Sequence, residues 1–397
     1  MELPDWSRSV RGAMFGGALL AALPFSYPAR AQGPVQGAVQ GPAQIPAQSN
    51  ARPAGLPPAG PATAGSGAAA PGAAIPSGGT LEAVRKNGVL RCALVSDEDD
   101  YSEADTHGDL TALGADLCRA LAAEVLGDGH RARFLVQPDE PAGLEAVRSG
   151  RADVLFGATP DPVTGAVKHL AFGPPVFFDG QGFLVRRELN VGSPAGLSGK
   201  NVCFINAAPS ERTLYDGLEP TLATPERHFP YSERGEMNVA LLDGHCDAVT
   251  ADLSILANVR ASFGNRAGGF SILDGTVSTD PFAPAVRDGD PAWLAIVDWT
   301  VWALVQAEQH GVTHANLLAS RQGRDPAARR LAGEPWIART LGLDDLAFAR
   351  AIAAVGNYGE IYDRDVGRDS KLGLPRGRNQ PAEQGGLLWA LPVQPAQ

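Results

Sequence analysis

The chain has 397 residues, more than one ordinary domain needs, and suggests two domains with some chain to spare. It is 44% hydrophobic and 19% charged, with a formal net charge of −11. That acidity excludes nucleic acid and anionic membrane as natural partners, since phosphate-rich surfaces select basic faces. Residues 1–31 have the order of an export signal: Arg8 and Arg11, an apolar run from Ala13 to Leu23, then Ala29-Arg30-Ala31. The apolar run is well short of the ~20 residues that span a bilayer, so cleavage after Ala31 and export are expected. Residues 32–79 are almost all Pro, Gly, Ala, Gln and Ser, with Arg52 as the one charge. Such a segment buries too little to offset its ordering entropy and is expected to be a disordered spacer.

Past this leader, β-rich runs alternate with helical ones. "GVLRCALV" (88–95) reads as a strand, and the acid run "SDEDDYSEADTHGD" (96–109) as a solvated loop that puts negative potential beside it. In "ALGADLCRALAAEVLG", Leu113, Leu117, Leu121 and Val125 recur four apart on one helical face. "RARFLV", "AGLEAVRSG" and "ADVLFGA" continue as strand, helix and strand. This spacing argues for parallel βαβ units in a sheet covered on both faces. The grammar restarts with "NVCFI" (201–205), the helix "SERTLYDGL" with Ser210 as a candidate cap, "RHFPYS", "GEMNVALLDG" and "DAVTA".

The stretches "LEAVRSGRADVLFGATPD" and "NVALLDGHCDAVTADLSI" echo one another. Each ends a helix at a glycine, Gly150 or Gly244, has an Asp three residues later, Asp153 or Asp247, and runs a short strand into a polar end. Two lobes of similar build follow. In open α/β sheets ligands bind beyond the carboxyl ends of the strands, so Thr159 and Asp252, at nearly matching places, are expected in a cleft. Alternatively, Asp252 caps the helix that follows it. "FFDGQGFLVRREL" (177–189) and "TDPFAPAVRDGD" (279–290) are expected to cross between lobes as a hinge. The expected division is a lobe of 80–185 plus 285–397, including a C-terminal extension, and an inserted lobe of 186–284.

No nucleophile elbow, phosphate-cradling glycine loop or HExxH occurs, and no enzyme is expected. The four cysteines, Cys92, Cys118, Cys203 and Cys246, lack CxxC spacing and suit disulfides in an exported chain, with three connectivities open. His310 and His314 stand where Gly311 and Thr313 end a helix, which favours a solvated terminus over a metal site. No metal or cofactor is expected.

In "TLEAVRKNGVLRCALV", "FFDGQGFLVRRELNV", "GHCDAVTADLS", "PAVRDGDPAWLAIVDWTVWALVQAEQHGVTHAN" and "VGNYGEIYDRDVG", the chain resembles the periplasmic solute-binding proteins of polar amino-acid ABC transporters, the general L-amino-acid-binding type. The resemblance implies a two-lobed α/β fold of type II with two hinge crossovers. It implies a monomeric receptor that closes on a small molecule and hands it to a membrane permease. In such proteins an arginine and hydroxyls of the first lobe grip the ligand carboxylate, and an aspartate of the second grips its amino group. Asp252 matches that aspartate and Thr159 the first hydroxyl. Asp161 stands at the next hydroxyl, Thr164 at the arginine, and Ala207-Ala208-Pro209 where a Gly-Thr-Thr turn is expected. Ser210 remains a polar contact. Amine recognition is thus kept and carboxylate recognition altered, so the ligand is expected to be an amino acid or a related amine. The other readings are a sensor or partner protein that has given up transport, and a periplasmic dehydratase on the same fold. Cys92–Cys118 and Cys203–Cys246 are the expected disulfides, because each then stays within one lobe.

Overall fold

The computed structural model describes residues 79–95, 113–206, 209–218 and 227–393. The export signal, the leader up to residue 78, the acid run at 96–109, Ala207, Ala208 and the side chain of Ser210 lie outside the described residues.

Helix α1 (Gly79–Asn87) leads into β1 (Leu90–Val95). Helix α2 (Leu113–Leu126) turns Leu113, Leu117, Leu121 and Val125 into one core, as the four-residue spacing requires. Then come β2 (Ala132–Gln137), α3 (Glu140–Arg148) and β3 (Val154–Ala158). β1 pairs in parallel with both β2 and β3, Cys92 lying opposite Phe134 and Val154. Helix α4 (Pro162–Lys168), β4 (Leu170–Phe172) and β5 (Phe177–Asp179) complete the outward path.

The second sheet repeats the plan. It contains β6 (Gln181–Arg186), β7 (Asn201–Ile205), α5 (Pro209–Thr213), β8 (Arg227–Tyr231), α6 (Arg234–Leu242), β9 (Ala248–Asp252), α7 (Leu253–Ser262) and β10 (Phe270–Ile272). β7 is parallel to β8 and β9, with strand order β10-β6-β9-β7-β8. β11 (Asp280–Arg287) returns to the first sheet, whose order is β2-β1-β3-β11-β4 with β5 paired to the start of β11.

Both sheets are mixed, where strand and helix alternation predicts parallel ones. β11 runs antiparallel to β3, β4 and β5, and β6 antiparallel to β9 and β10. The parallel cores are those of the βαβ units; the crossing strands carry no direction in their composition. The sheet boundary also differs from the expected 185 and 285, since β6 joins the second sheet from Gln181 and β11 joins the first from Asp280. The break falls at Gly180, where a Cβ would come within 2.6 Å of the Ser278 carbonyl oxygen as the two crossovers pass. In sequence, Phe177 to Leu189 is one β-like run, and only the glycine marks the change of sheet.

The sequence echo has a structural cause. Gly150 and Gly244 follow α3 and α6 with φ of 72° and 80°, a left-handed turn that favours glycine. Three residues on, the Asp153 carboxylate accepts the Arg91 N–H at 2.9 Å, and the Asp247 carboxylate accepts that of Asn201 at 2.9 Å. Each aspartate thereby pins the start of its own strand, β3 or β9, to the start of the neighbouring parallel strand, β1 or β7. Asp153 also pairs with the Arg91 guanidinium, and Asp247 with that of Arg186.

Cys92–Cys118 ties β1 to α2, and Cys203–Cys246 ties β7 to the turn before β9. The C-terminal helices, α8 (Pro291–Gln309), α9 (Leu317–Ser320), α10 (Pro326–Leu331), α11 (Ala347–Val355) and α12 (Tyr358–Asp365), pack into the first core around buried Trp293. The Trp293 indole N–H donates to the Asp153 carbonyl at 3.0 Å. His310 caps the end of α8 and meets Asp325 at 2.7 Å, while His314 meets the Ala353 carbonyl at 2.9 Å. The segment past α12 braces both crossovers: Asn379 exchanges hydrogen bonds with the Phe178 backbone at 2.7 and 2.9 Å, and Arg378 donates to the Ser278 carbonyl at 2.6 Å.

Candidate ligand-binding site

Beyond the carboxyl ends of β2 and β3, the chain enters α3 and α4. Thr159 follows β3, and both its donors go to one carboxylate: its N–H and its hydroxyl each reach Glu140 at 3.0 Å. Asp161 is the N-cap of α4, accepting the N–H groups of Val163 and Thr164 at 3.0 Å each. The Thr164 hydroxyl donates to the same carboxylate. These bonds, the Thr164 hydroxyl first, hold the Asp161 carboxyl below the usual carboxylate range. Asp161 and Thr164 are therefore partners of one another, and Pro162 supplies the fixed φ that suits a helix start.

Two basic residues, His169 and Arg212, are engaged with acids of their own. His169, in the left-handed region at φ 57°, faces Asp288 at 3.3 Å. Arg212, an exposed residue past α5's start, reaches Asp216 at 3.2 Å.

In the second lobe, Asp252 ends β9 opposite Gln181 and stands at the N-cap position of α7 without making a cap hydrogen bond. The cap comes from across the hinge. Asp179, at the end of β5, accepts the Leu253 N–H at 2.9 Å, the Ser254 hydroxyl at 2.6 Å and N–H at 3.4 Å, and the Gly180 N–H at 2.9 Å. Burial still raises the Asp179 carboxyl above its ordinary value. Gln181 is held by Thr250, whose hydroxyl accepts the side-chain amide at 2.9 Å, and Gly182 admits Leu253, whose Cδ2 would clash with a Cβ there.

Asp252, relieved of capping, is a mostly buried carboxyl with no hydrogen bond recorded among the described residues. Burial, then the Asp179 and Asp280 charges, pushes it up to about 7, against a smaller pull from Arg234. A carboxyl in that state ionises readily once a cation arrives to pair with it. Thus Asp252 stands with Asp179 and Asp280, Thr159 with Glu140, and Asp161 with Thr164; no hydrogen bond joins the Thr159 turn to Asp252 among the described residues. Two surface hollows, one lined by Arg119, His130 and Arg350 and one by Arg186, Arg266 and Phe270, include none of these residues.

Sequence reasoning passed over Glu140 and Asp179. Glu140 looks like an ordinary acid in a helix's first turn. Asp179 had a usable signal, an acid directly before the Gly180 hinge.

No protein-family profile matches the chain. The general L-amino acid-binding periplasmic protein AapJ of Rhizobium johnstonii is 33% identical over 322 residues, 80% of this chain and 94% of that protein. The glutamate/glutamine/aspartate/asparagine-binding protein BztA of Rhodobacter capsulatus is 35% identical over 324 residues, again 80% of this chain and 94% of that one. The chain belongs to the periplasmic amino-acid-binding proteins of ABC transporters. Among solved structures, an ABC transporter periplasmic binding protein from Brucella ovis with glutathione bound matches at a TM-score of 0.66 and 31% identity, covering 79% of this chain and 99% of that one. The fold is accordingly the two-lobed type II fold of this family, with β5–β6 and β11 as its crossovers. AapJ and the Brucella ovis protein are named as periplasmic. Among the described residues no helix is long and apolar enough to cross a membrane.

Proposed function

We propose that the chain is exported to the periplasm, where it binds a small solute carrying a protonated amine and delivers it to an ABC-transporter permease without chemical change. The ligand bridges the lobes, and contacts to both stabilise the closed state that the permease recognises. Asp252 holds the amine. The observation that carries this reading is a largely buried carboxyl, raised to about 7, without a hydrogen bond among the described residues while Asp179 does its capping. The relatives' amino-acid ligands supply the solute class, an amino acid or a related amine. Ser210 is the polar contact carried by position, Thr159 stands in the turn with both donors on Glu140, and Asp161 and Thr164 shape the helix start that follows it.

The amine binds the ionised form of Asp252, so binding below pH 7 must expel a proton. Affinity for an amine ligand is expected to rise by about tenfold per pH unit from about pH 5 to 7 and to level off above. The measurement is calorimetric titration with L-glutamine, L-arginine, glutathione and 1,4-diaminobutane at fixed ionic strength. Asp252→Asn should abolish both the binding and its pH dependence. Affinity that stays flat across this range, or survives the substitution, refutes the assignment.

A further inference from the structure

Glu140 lies in the first turn of α3, which begins past the carboxyl end of β2, on the same sheet edge as the end of β3. Both its oxygens are occupied by a single residue, one by the Thr159 N–H and one by the Thr159 hydroxyl, each at 3.0 Å. A backbone N–H and a hydroxyl side by side form a fork that fits one carboxylate with two charge-assisted bonds. In this chain the carboxylate in the fork belongs to the chain itself. A tethered group competes at an effective concentration in the millimolar range or above, beyond that of a free solute at micromolar levels.

We propose that Glu140 is the specificity-determining residue of the first lobe: it fills the Thr159 fork, excludes a ligand carboxylate, and steers the cleft toward cationic amines that lack one. This deepens the reading of Asp252 as the amine contact and rests on the same cleft. Three features converge. The fork that would take an incoming carboxylate is filled. The neighbouring turn is anionic at Asp161, whose carboxylate is fixed by its own helix. Two basic side chains of the turns, His169 and Arg212, face Asp288 and Asp216. A ligand carboxylate entering here meets negative charge and no vacant donor at Thr159. An ammonium meets the spare lone pairs of Glu140.

The test compares two probes that share an amine and differ in the carboxylate: 1,4-diaminobutane and L-glutamine. Dissociation constants are measured by calorimetry at pH 7.5 for the full exported chain, Glu140→Ala, Glu140→Gln and Asp252→Asn, with circular dichroism confirming that each is folded. The unaltered chain should bind the diamine about tenfold or more tightly than L-glutamine. Glu140→Ala, which empties the fork, should reverse that order, and Glu140→Gln, which keeps an acceptor but no charge, should weaken the diamine. Preference of the unaltered chain for L-glutamine, binding of neither probe, or an affinity ratio unmoved by Glu140→Ala overturns the proposal. Asp252→Asn separates the two readings: if it leaves both affinities intact while Glu140→Ala shifts their ratio, the amine contact at Asp252 fails and the role of Glu140 stands.

Discussion

Replacing Asp252 by Asn tests the electrostatics of the cleft in the ligand-free protein. The folded chain keeps its proton on Asp252 up to about pH 7, whereas an ordinary carboxyl releases it near 3.8. Between those values the folded state binds more protons than the unfolded one, so this group's contribution to stability falls as pH rises. At ~1.36 kcal/mol per pH unit, the interval corresponds to about 4 kcal/mol lost by pH 7 and constant above it. Asparagine has nothing to ionise. Its buried amide costs about 1–3 kcal/mol at every pH, an offset without slope. The stability of Asp252→Asn relative to the unaltered chain should therefore gain up to about 4 kcal/mol between pH 4 and 7. Urea denaturation of ligand-free protein at half-unit pH steps measures it. A stability difference that does not change with pH would show that Asp252 is solvated and paired in the apo state, and the case for a carboxyl awaiting a cation would collapse.

Two further outcomes are expected. Asp161→Ala should lower thermal stability slightly, by loss of the α4 cap, and shift the preference between diamine and L-glutamine by less than Glu140→Ala does, whereas a large loss of affinity would make Asp161 a direct ligand contact. Replacing both Cys203 and Cys246 by Ala opens a loop whose ends are 43 residues apart and should cost about 4 kcal/mol in chain entropy, measured by urea denaturation. A cost under about 1 kcal/mol would indicate that the second lobe is held without its covalent tie.

The two-lobed plan was legible because its marks are local. Gly150 and Gly244 end helices, Asp153 and Asp247 sit three residues on, and each strand that follows is apolar. Strand direction was not legible, because β6 and β11 have the same apolar composition whichever way they run. The site was half legible. Asp252 stands out as an acid at a strand end, and the structure adds that it does not cap α7. What it lacks is explained by Asp179, 73 residues earlier in the chain, and no short window contains both. The Thr159–Glu140 contact is hidden for the same reason: its partners lie on different βα units, 19 residues apart. At Asp161 the sequence shows an acid where a hydroxyl is expected, and its lone pairs face α4's own N–H groups, a local pattern that Asp-Pro at a helix start does announce.

The cap that Asp179 provides has a consequence for how this protein is divided and recombined. The second lobe begins and ends within the chain like an insertion, yet the group that completes its α7 belongs to the strand before it. A lobe cut out at Gly180 and Asp280 would carry a helix stripped of its N-terminal acceptors, a loss of about 1 kcal/mol or more. The unit of this chain that can be transplanted with its α7 cap intact therefore starts at Phe177 rather than at the sheet boundary.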